Sequence, residues 1–371
     1  MATTGHEEKV EIILAVIGTV LLFGPLLAYY RILTDSYKNA QLSTLASQIN
    51  ASRTALFLPT YAVIMFLSLV IPVLFLPLQI PISIAEGYSF FCFFAMIVNY
   101  LGGPNRVVER TQSKFNDGKL PIFPFCCPDT GLAFYTRTLR ALYHFIITRT
   151  GFIFVAVILQ MVMKYADLSK RQHVGVQVMS IIFQVVSLGF LVNAFMSLVT
   201  FFEIFYEDTK NLYGIPKIWL LKFSVGLIVI QGLVEQYLFT AHVLKINDSS
   251  NYNAEDRAQM IYCFIVLCEY FLLSYFFYWA YSVGISAPLS SRPLEEADQA
   301  NEKTKVVVAE KGGGADGDHV PVGAEAVDIT FKEYLSRVFT LSGVWDNLDP
   351  QDSLKQPLTS ADGQQDAANE A

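Results

Sequence analysis

Seven apolar stretches, each long enough to cross a lipid bilayer, constrain this 371-residue chain more than any other feature of its sequence. A helix needs about 20 mostly apolar residues to cross a hydrocarbon core of about 30 Å. The stretches cover residues 10–30, 55–80, 82–101, 141–163, 174–202, 216–239 and 259–283. The sequence therefore predicts an all-α membrane protein with seven transmembrane helices.

The acidic residues are concentrated near the C-terminus. Residues 286–371 contain 16 Asp and Glu against seven Lys and Arg, whereas residues 1–285 have a net charge of only +2. We therefore predict a transmembrane domain at residues 1–285 and a cytosolic, acidic, largely disordered tail at residues 286–371. Because neither part is a basic domain, the sequence excludes a nucleic-acid binder.

The basic residues of the loops predict the orientation. With the N-terminus outside, the cytosolic loops contain eleven Lys and Arg and the outer side contains six. Positive flanks stay in the cytosol, so we expect the N-terminus outside and the C-terminus in the cytosol. Two glycosylation sequons test this orientation, since Asn247 falls in an outer loop and Asn50 in an inner one. Only Asn247 is predicted to carry a glycan.

Ionisable side chains inside the spans need a reason to be there, because each costs roughly 2.5–3.5 kcal/mol on insertion scales. They are Glu86, His144, Arg149, Lys222, Glu235 and Glu269. By residue count, Arg149 and Lys222 lie at similar depth in the inner half of the membrane, and Glu86 lies nearer the outer face. One interpretation is a cationic patch that attracts an organic anion. The other is that Arg149 or Lys222 pairs with Glu269 or another acid and fixes helix packing.

No catalytic or metal-binding pattern can be placed on this chain. It contains no Gly-rich phosphate loop with its Lys and Ser/Thr. A membrane zinc hydrolase needs several clustered His residues, and this chain has only five, among them His144 and His242 in or beside spans, so that class is excluded. We therefore expect neither an enzyme nor a bound cofactor or metal.

Adjacent cysteines precede the fourth span. Cys126 and Cys127 lie in a predicted cytosolic loop, where a disulfide would not persist. Two interpretations stay open, S-palmitoylation next to the bilayer and two unmodified thiols.

A short helix is predicted inside the acidic tail, at about residues 330–340. Phe331, Tyr334, Leu335, Val338 and Phe339 follow the spacing of one helix face. Thr330 precedes them with Glu333 three residues later, which is a capping box. We expect an amphipathic helix that lies on the inner leaflet or docks on a partner.

Several motifs occur in a specific order across five of the spans. They are Arg53 with Pro59 and Tyr61, Glu86-Gly87-Tyr88 with Leu101-Gly102-Gly103, Cys126-Cys127, Arg149 with Gln160, the series Lys217, Lys222, Gln231 and Gly232, and Glu269. In this order and spacing, residues 53–283 resemble the organic solute transporter alpha subunit family.

The resemblance implies facilitated diffusion of amphipathic organic anions, such as bile acids, steroid conjugates or similar lipid-like solutes, across the plasma membrane. It also implies a small single-span beta-type partner subunit and lipidation at the cysteine pair. The candidate substrate-binding residues are Arg149, Lys222, Glu269, Gln231 and His144.

Two other functions compete with transport. One is a non-transporting membrane protein that acts in trafficking or membrane organisation, at the plasma membrane or on endosomal and other internal membranes. The other is a seven-span receptor, which is disfavoured because no Cys lies in an outer loop and no Asp-Arg-Tyr follows the third span. Substrate identity and homo- or hetero-oligomer formation are not readable from the sequence.

Overall fold

A computed structural model describes residues 4–39, 45–116, 131–166, 170–209, 216–221, 223–224, 226–227, 254–282 and 329–340. These residues form helices and no β-strand. The helices are α1 (Thr4–Lys38), α2 (Leu45–Ala55), α3 (Phe57–Val70), α4 (Phe75–Tyr100), α5 (Pro104–Asn116), α6 (Gly131–Tyr165), α7 (Lys170–Ile204), α8 (Tyr206–Thr209), α9 (Ala254–Tyr281) and α10 (Phe331–Phe339). A 3-10 turn, Pro72–Leu74, joins α3 to α4.

Six segments of the described chain are long and apolar enough to cross a membrane. They are Lys9–Lys38, Leu45–Val70, Pro72–Tyr100, Gly131–Met163, Val174–Ile204 and Asp256–Tyr281. An all-helical fold with several apolar segments of membrane-spanning length is thus confirmed for the described residues. Most of the seventh predicted span, residues 216–239, lies outside the described residues, as does the acidic tail apart from residues 329–340. Seven spans and the orientation stay predictions.

The boundary between the second and third predicted spans was wrong. The sequence placed it near residues 77–81, but α3 ends at Val70 and the next segment begins at Pro72. The cause is local, because Ile71 adopts the extended backbone favoured before proline and Pro72 has no N–H to continue the helix. As a result α4 is centred close to Glu86, which lies near the middle of this helix.

Helix α4 is the centre of the bundle, and its aromatic residues form the core. Phe90, Phe91, Phe93 and Phe94 are all buried. The Phe94 ring packs 4.8 Å from that of Phe201 in α7, and the Phe90 ring 5.7 Å from that of Phe145 in α6. By contrast α1, α6 and α7 leave long apolar faces exposed, as expected for helices that contact lipid.

Helix α5 was not predicted, since residues 102–140 were read as a loop. Gly102 and Gly103 both have φ of 94°, which ends α4, and Pro104 then starts α5 at the position that proline favours. Lys114 Nζ lies 2.6 Å from Asp208 Oδ2 in α8, so α5 is fastened to the end of α7.

The contacts define two ends of the bundle. We call one of them the tail end. There, Ser47 Oγ of α2 donates to the Met96 carbonyl of α4 at 3.3 Å. Lys217 Nζ lies there as well, 5.7 Å from the Tyr281 ring centroid at the end of α9. At the opposite end, Arg257 Nε near the start of α9 lies 3.9 Å from Glu11 Oε1 in α1.

Candidate functional site

A buried ion pair joins α6 to α4 in the middle of the bundle. Arg149 Nη2 and Nε lie 2.6 Å and 2.7 Å from the same Glu86 carboxylate oxygen, Oε2. The side chains are 12% and 1% exposed, respectively. Charge-assisted contacts of this length are the strong class of hydrogen bond, and here they hold both charges away from water.

Helix α7 contributes the third polar contact of this cluster. Arg149 Nη1 donates to Ser187 Oγ at 3.3 Å, and the guanidinium carbon lies 5.9 Å from the Phe145 ring centroid. At about 1.5 Å per residue, Glu86, Arg149 and Ser187 each lie within about 3 Å of the middle of their own helices. The three residues of the cluster therefore lie at a similar level, near the middle of their helices.

A glycine lets the two charged helices come together. A Cβ atom on Gly87 would lie 2.7 Å from Ile146 Cγ1 and 3.4 Å from the Ile146 Cα atom. Only glycine permits this approach of α4 to α6 without a shift of one helix. The close contact lies next to Glu86 in sequence and so fixes the position from which its carboxylate reaches Arg149.

Aromatic and hydroxyl groups surround the carboxylate. The Tyr61 and Tyr270 rings stack with centroids 4.8 Å apart, and both side chains are fully buried. Both tyrosines lie within electrostatic range of Glu86, and Tyr270 also of Glu269. In the described part of the chain, the hydroxyls of Tyr270 and Ser83 have no hydrogen-bond partner. Buried polar groups are normally paired, so these hydroxyls are available to a polar ligand group.

Of the other predicted substrate-binding residues, the structure describes Glu269 and His144. Glu269 is half-buried on α9 beside Tyr270, whereas His144 is exposed on α6. Arg149 forms its ion pair with Glu86. The packing interpretation had allowed Glu269 or another acid as the partner. Lys222 and Gln231 lie outside the described residues, as do the predicted modification sites Cys126, Cys127 and Asn247.

Ser187 was not among the predicted site residues, although the spacing of polar residues on α6 and α7 could have indicated it. A second polar contact across the same helix pair joins Gln160 Nε2 to Ser180 Oγ at 3.5 Å. Arg149 and Gln160 are eleven residues apart on α6, and Ser180 and Ser187 are seven apart on α7. Both spacings are close to whole numbers of helical turns, so each pair lies on one face of its helix.

Comparison with known protein families agrees with this architecture. A family model described as organic solute transporter Ostalpha matches residues 13–285. The chain belongs to the organic solute transporter alpha family. Members of this family are solute transporters, and the match covers the whole ion-pair cluster. No curated protein and no solved structure matches the chain.

The region that the family model matches ends before the tail helix. Residues 13–285 contain all the described membrane segments except the first residues of α1. Helix α10 lies beyond the matched region, so this organic solute transporter alpha protein has an ordered element outside the shared domain.

Proposed function

We propose that this protein moves amphipathic organic anions, such as bile acids, steroid conjugates or similar lipid-like solutes, across the plasma membrane by facilitated diffusion. The observation that carries the proposal is a buried guanidinium, Arg149, near the middle of its apolar helix and inside the domain shared with a transporter family. A cation is costly in a membrane and marks solute pathways in transport proteins.

Arg149 has capacity for a solute in addition to Glu86. A guanidinium has five N–H donors, and three of those of Arg149 face acceptors among the described residues, two toward Glu86 and one toward Ser187. A carboxylate or sulfate can use the remaining donors, or it can displace Glu86 from the guanidinium. In both cases Glu86 competes with the solute for the same cation and weakens its binding.

The apolar body of such a solute needs an aromatic surface beside the cation. Phe145 lies under the guanidinium, and the stacked pair of Tyr61 and Tyr270 lies within electrostatic range of Glu86. Aromatic rings accept a steroid-like surface and keep a hydroxyl for its polar groups. Lys222, Gln231 and Glu269 remain proposed contacts from the sequence, with His144 the weakest of them because its side chain is exposed.

By family membership we further propose a small single-span beta-type partner subunit and lipidation at Cys126 and Cys127. The surrounding membrane lipid contacts the exposed apolar faces of α1, α6 and α7. Homo- or hetero-oligomer formation is compatible with the same surfaces.

Uptake of a radiolabelled sulfated steroid into vesicles that contain the purified protein tests the proposal. The assay is run with and without candidate single-span partners, and Arg149→Met together with Glu86→Leu is the key variant. This double replacement removes both charges and so avoids leaving one of them buried and unpaired. We expect saturable uptake by the natural sequence and none by the double variant, although both fold.

The matched control is Arg337→Ala, which removes an arginine paired with Glu333 on the exposed face of α10. Its uptake should equal that of the natural sequence. Absence of saturable uptake by correctly folded protein with every partner tested would contradict transport and favour a role in trafficking or membrane organisation.

A further inference from the structure

The tail helix α10 is docked on the chain's own transmembrane helices. Its Tyr334 and Val338 side chains are fully buried. The Tyr334 hydroxyl lies 2.9 Å from Ser52 Oγ and donates to the Gln48 carbonyl at 3.4 Å, both on α2. Burial raises the pKa of Tyr334 to about 12, so the hydroxyl keeps its proton as a donor. Thr330 caps the helix as predicted, since its Oγ1 accepts from the Glu333 N–H at 3.2 Å, while the Glu333 carboxylate accepts from Arg337.

The same segment also contacts α1. The Tyr37 hydroxyl donates to the Ile329 carbonyl at 3.0 Å. The Tyr37 ring packs against the rings of Phe331 and Tyr334, with centroids 5.1 Å and 5.7 Å away. Residues 329–340 therefore bridge the last turn of α1 and the middle of α2 at the tail end of the bundle.

Arg53 of α2 caps the C-terminal end of α10. Its Nε donates to the Val338 carbonyl at 3.1 Å, and its Nη2 donates to the carbonyls of Arg337 and Thr340. The last carbonyls of a helix lack partners within the helix and carry partial negative charge. Within the described part of the chain Arg53 makes no ion pair, and Asn50 supplies its other acceptor, Oδ1, at 3.2 Å. The end of α10 thus takes the place of an anion at this buried cation.

Helix α10 has only nine residues. Isolated helices shorter than about 12–15 residues are marginal in water. Its order therefore depends on docking. The segment also lies outside the region that the family model matches.

We propose that the surface formed by Tyr37, Gln48, Ser52 and Arg53, named here the brace site, recognises a short amphipathic helix, and that residues 329–340 occupy it reversibly. The helix it accepts has a tyrosine that reaches Ser52, a small apolar residue one turn later, and a free C-terminal end for Arg53. Occupancy ties α1 to α2 and restricts their relative motion at the tail end.

Hydrogen exchange of the full-length protein, read by mass spectrometry over residues 331–340, measures occupancy directly. The amides of Tyr334 and Thr340 report on it, because they donate to the carbonyls of Thr330 and Ser336 within and at the end of α10. We expect Val338→Asp, on the tail side of the contact, to speed exchange of residues 334–340 at least tenfold. The core segment of α4 should keep its protection. The control Arg337→Ala alters only an exposed pair and should change exchange less than threefold.

Unchanged protection of residues 334–340 in Val338→Asp would overturn the proposal. A loss of protection that extends equally into α4 would overturn it as well, because the helix would then be part of the core and not a reversible element.

Recognition is tested in trans with a fluorescently labelled peptide of residues 327–341. Added to the full-length Val338→Asp protein, whose own helix is released, it should bind saturably. Adding Arg53→Ala to that protein should weaken binding at least tenfold, and a labelled peptide carrying the Val338→Asp change should not bind. No binding to the Val338→Asp protein, or binding that does not depend on Arg53, would refute the brace site.

Discussion

Breaking the pair of Arg149 and Glu86 from one side should be far more damaging than removing it altogether. Arg149→Met leaves the Glu86 carboxylate, 1% exposed, without its cation, and Glu86→Leu leaves the guanidinium without its anion. Removing one partner of a buried pair costs about 3–5 kcal/mol, whereas apolar residues of similar volume in both positions are often neutral or stabilising.

The geometry supports this range. The two contacts, at 2.6 Å and 2.7 Å, involve charged groups on both sides, and hydrogen bonds to charged groups contribute about 1.5–3 kcal/mol each. The contact to Ser187 is longer, at 3.3 Å, and has a neutral acceptor. Hydrogen bonds between membrane helices average about 0.6 kcal/mol, so Ser187→Ala should cost less than about 1 kcal/mol.

The assay is a double-mutant cycle on unfolding of the detergent-solubilised protein, with Ser187→Ala as the matched control. We expect each single variant to lose about 3–5 kcal/mol and the double variant less than about 1 kcal/mol. Changes at independent sites add to within about 0.3–0.5 kcal/mol. Additive losses would refute the ion pair as the link between α4 and α6.

Two further predictions concern helix packing at Gly87 and the orientation of the chain in the membrane. Gly87→Ala should cost about 1–3 kcal/mol of unfolding free energy by overpacking against Ile146, whereas Gly151→Ala, with nothing within 4 Å, should be neutral or slightly stabilising in the same melt. Glycosidase treatment should shift the mobility of the natural protein and of Asn50→Gln but not of Asn247→Gln, because Asn50 is buried and accepts from Arg53. A glycan on Asn50, or none on the natural protein, would contradict the orientation.

Local patterns predicted most of the long helices and α10, because the signals that start and end a helix lie close together in sequence. The pattern around Thr330 and Glu333 predicted α10 nearly to the residue, and six of the seven predicted spans correspond to membrane-length segments of the described chain. The break at Pro72 was a local signal too, but two later prolines, Pro77 and Pro81, obscured it. Pro77 lies in the first turn of α4, and α4 continues through Pro81.

The partners of the buried charges were harder to predict, since they depend on which helices pack together. Arg149 and Glu86 were both recognised as ionisable residues within spans, but their pairing was not predicted. The contact of Arg53 with Val338 spans 285 positions, and no spacing rule connects them. Tertiary packing decides both contacts, and single-sequence patterns do not contain it.

Counterflow measures the central claim, that Arg149 serves a passive carrier for organic anions. Vesicles preloaded with unlabelled sulfated steroid are diluted into trace labelled steroid, with no ion gradient or ATP. The account predicts transient accumulation of label by the natural protein and none by the folded Arg149→Met, Glu86→Leu double variant. No accumulation by the natural protein and its partner subunit, or equal accumulation by the double variant, would contradict it.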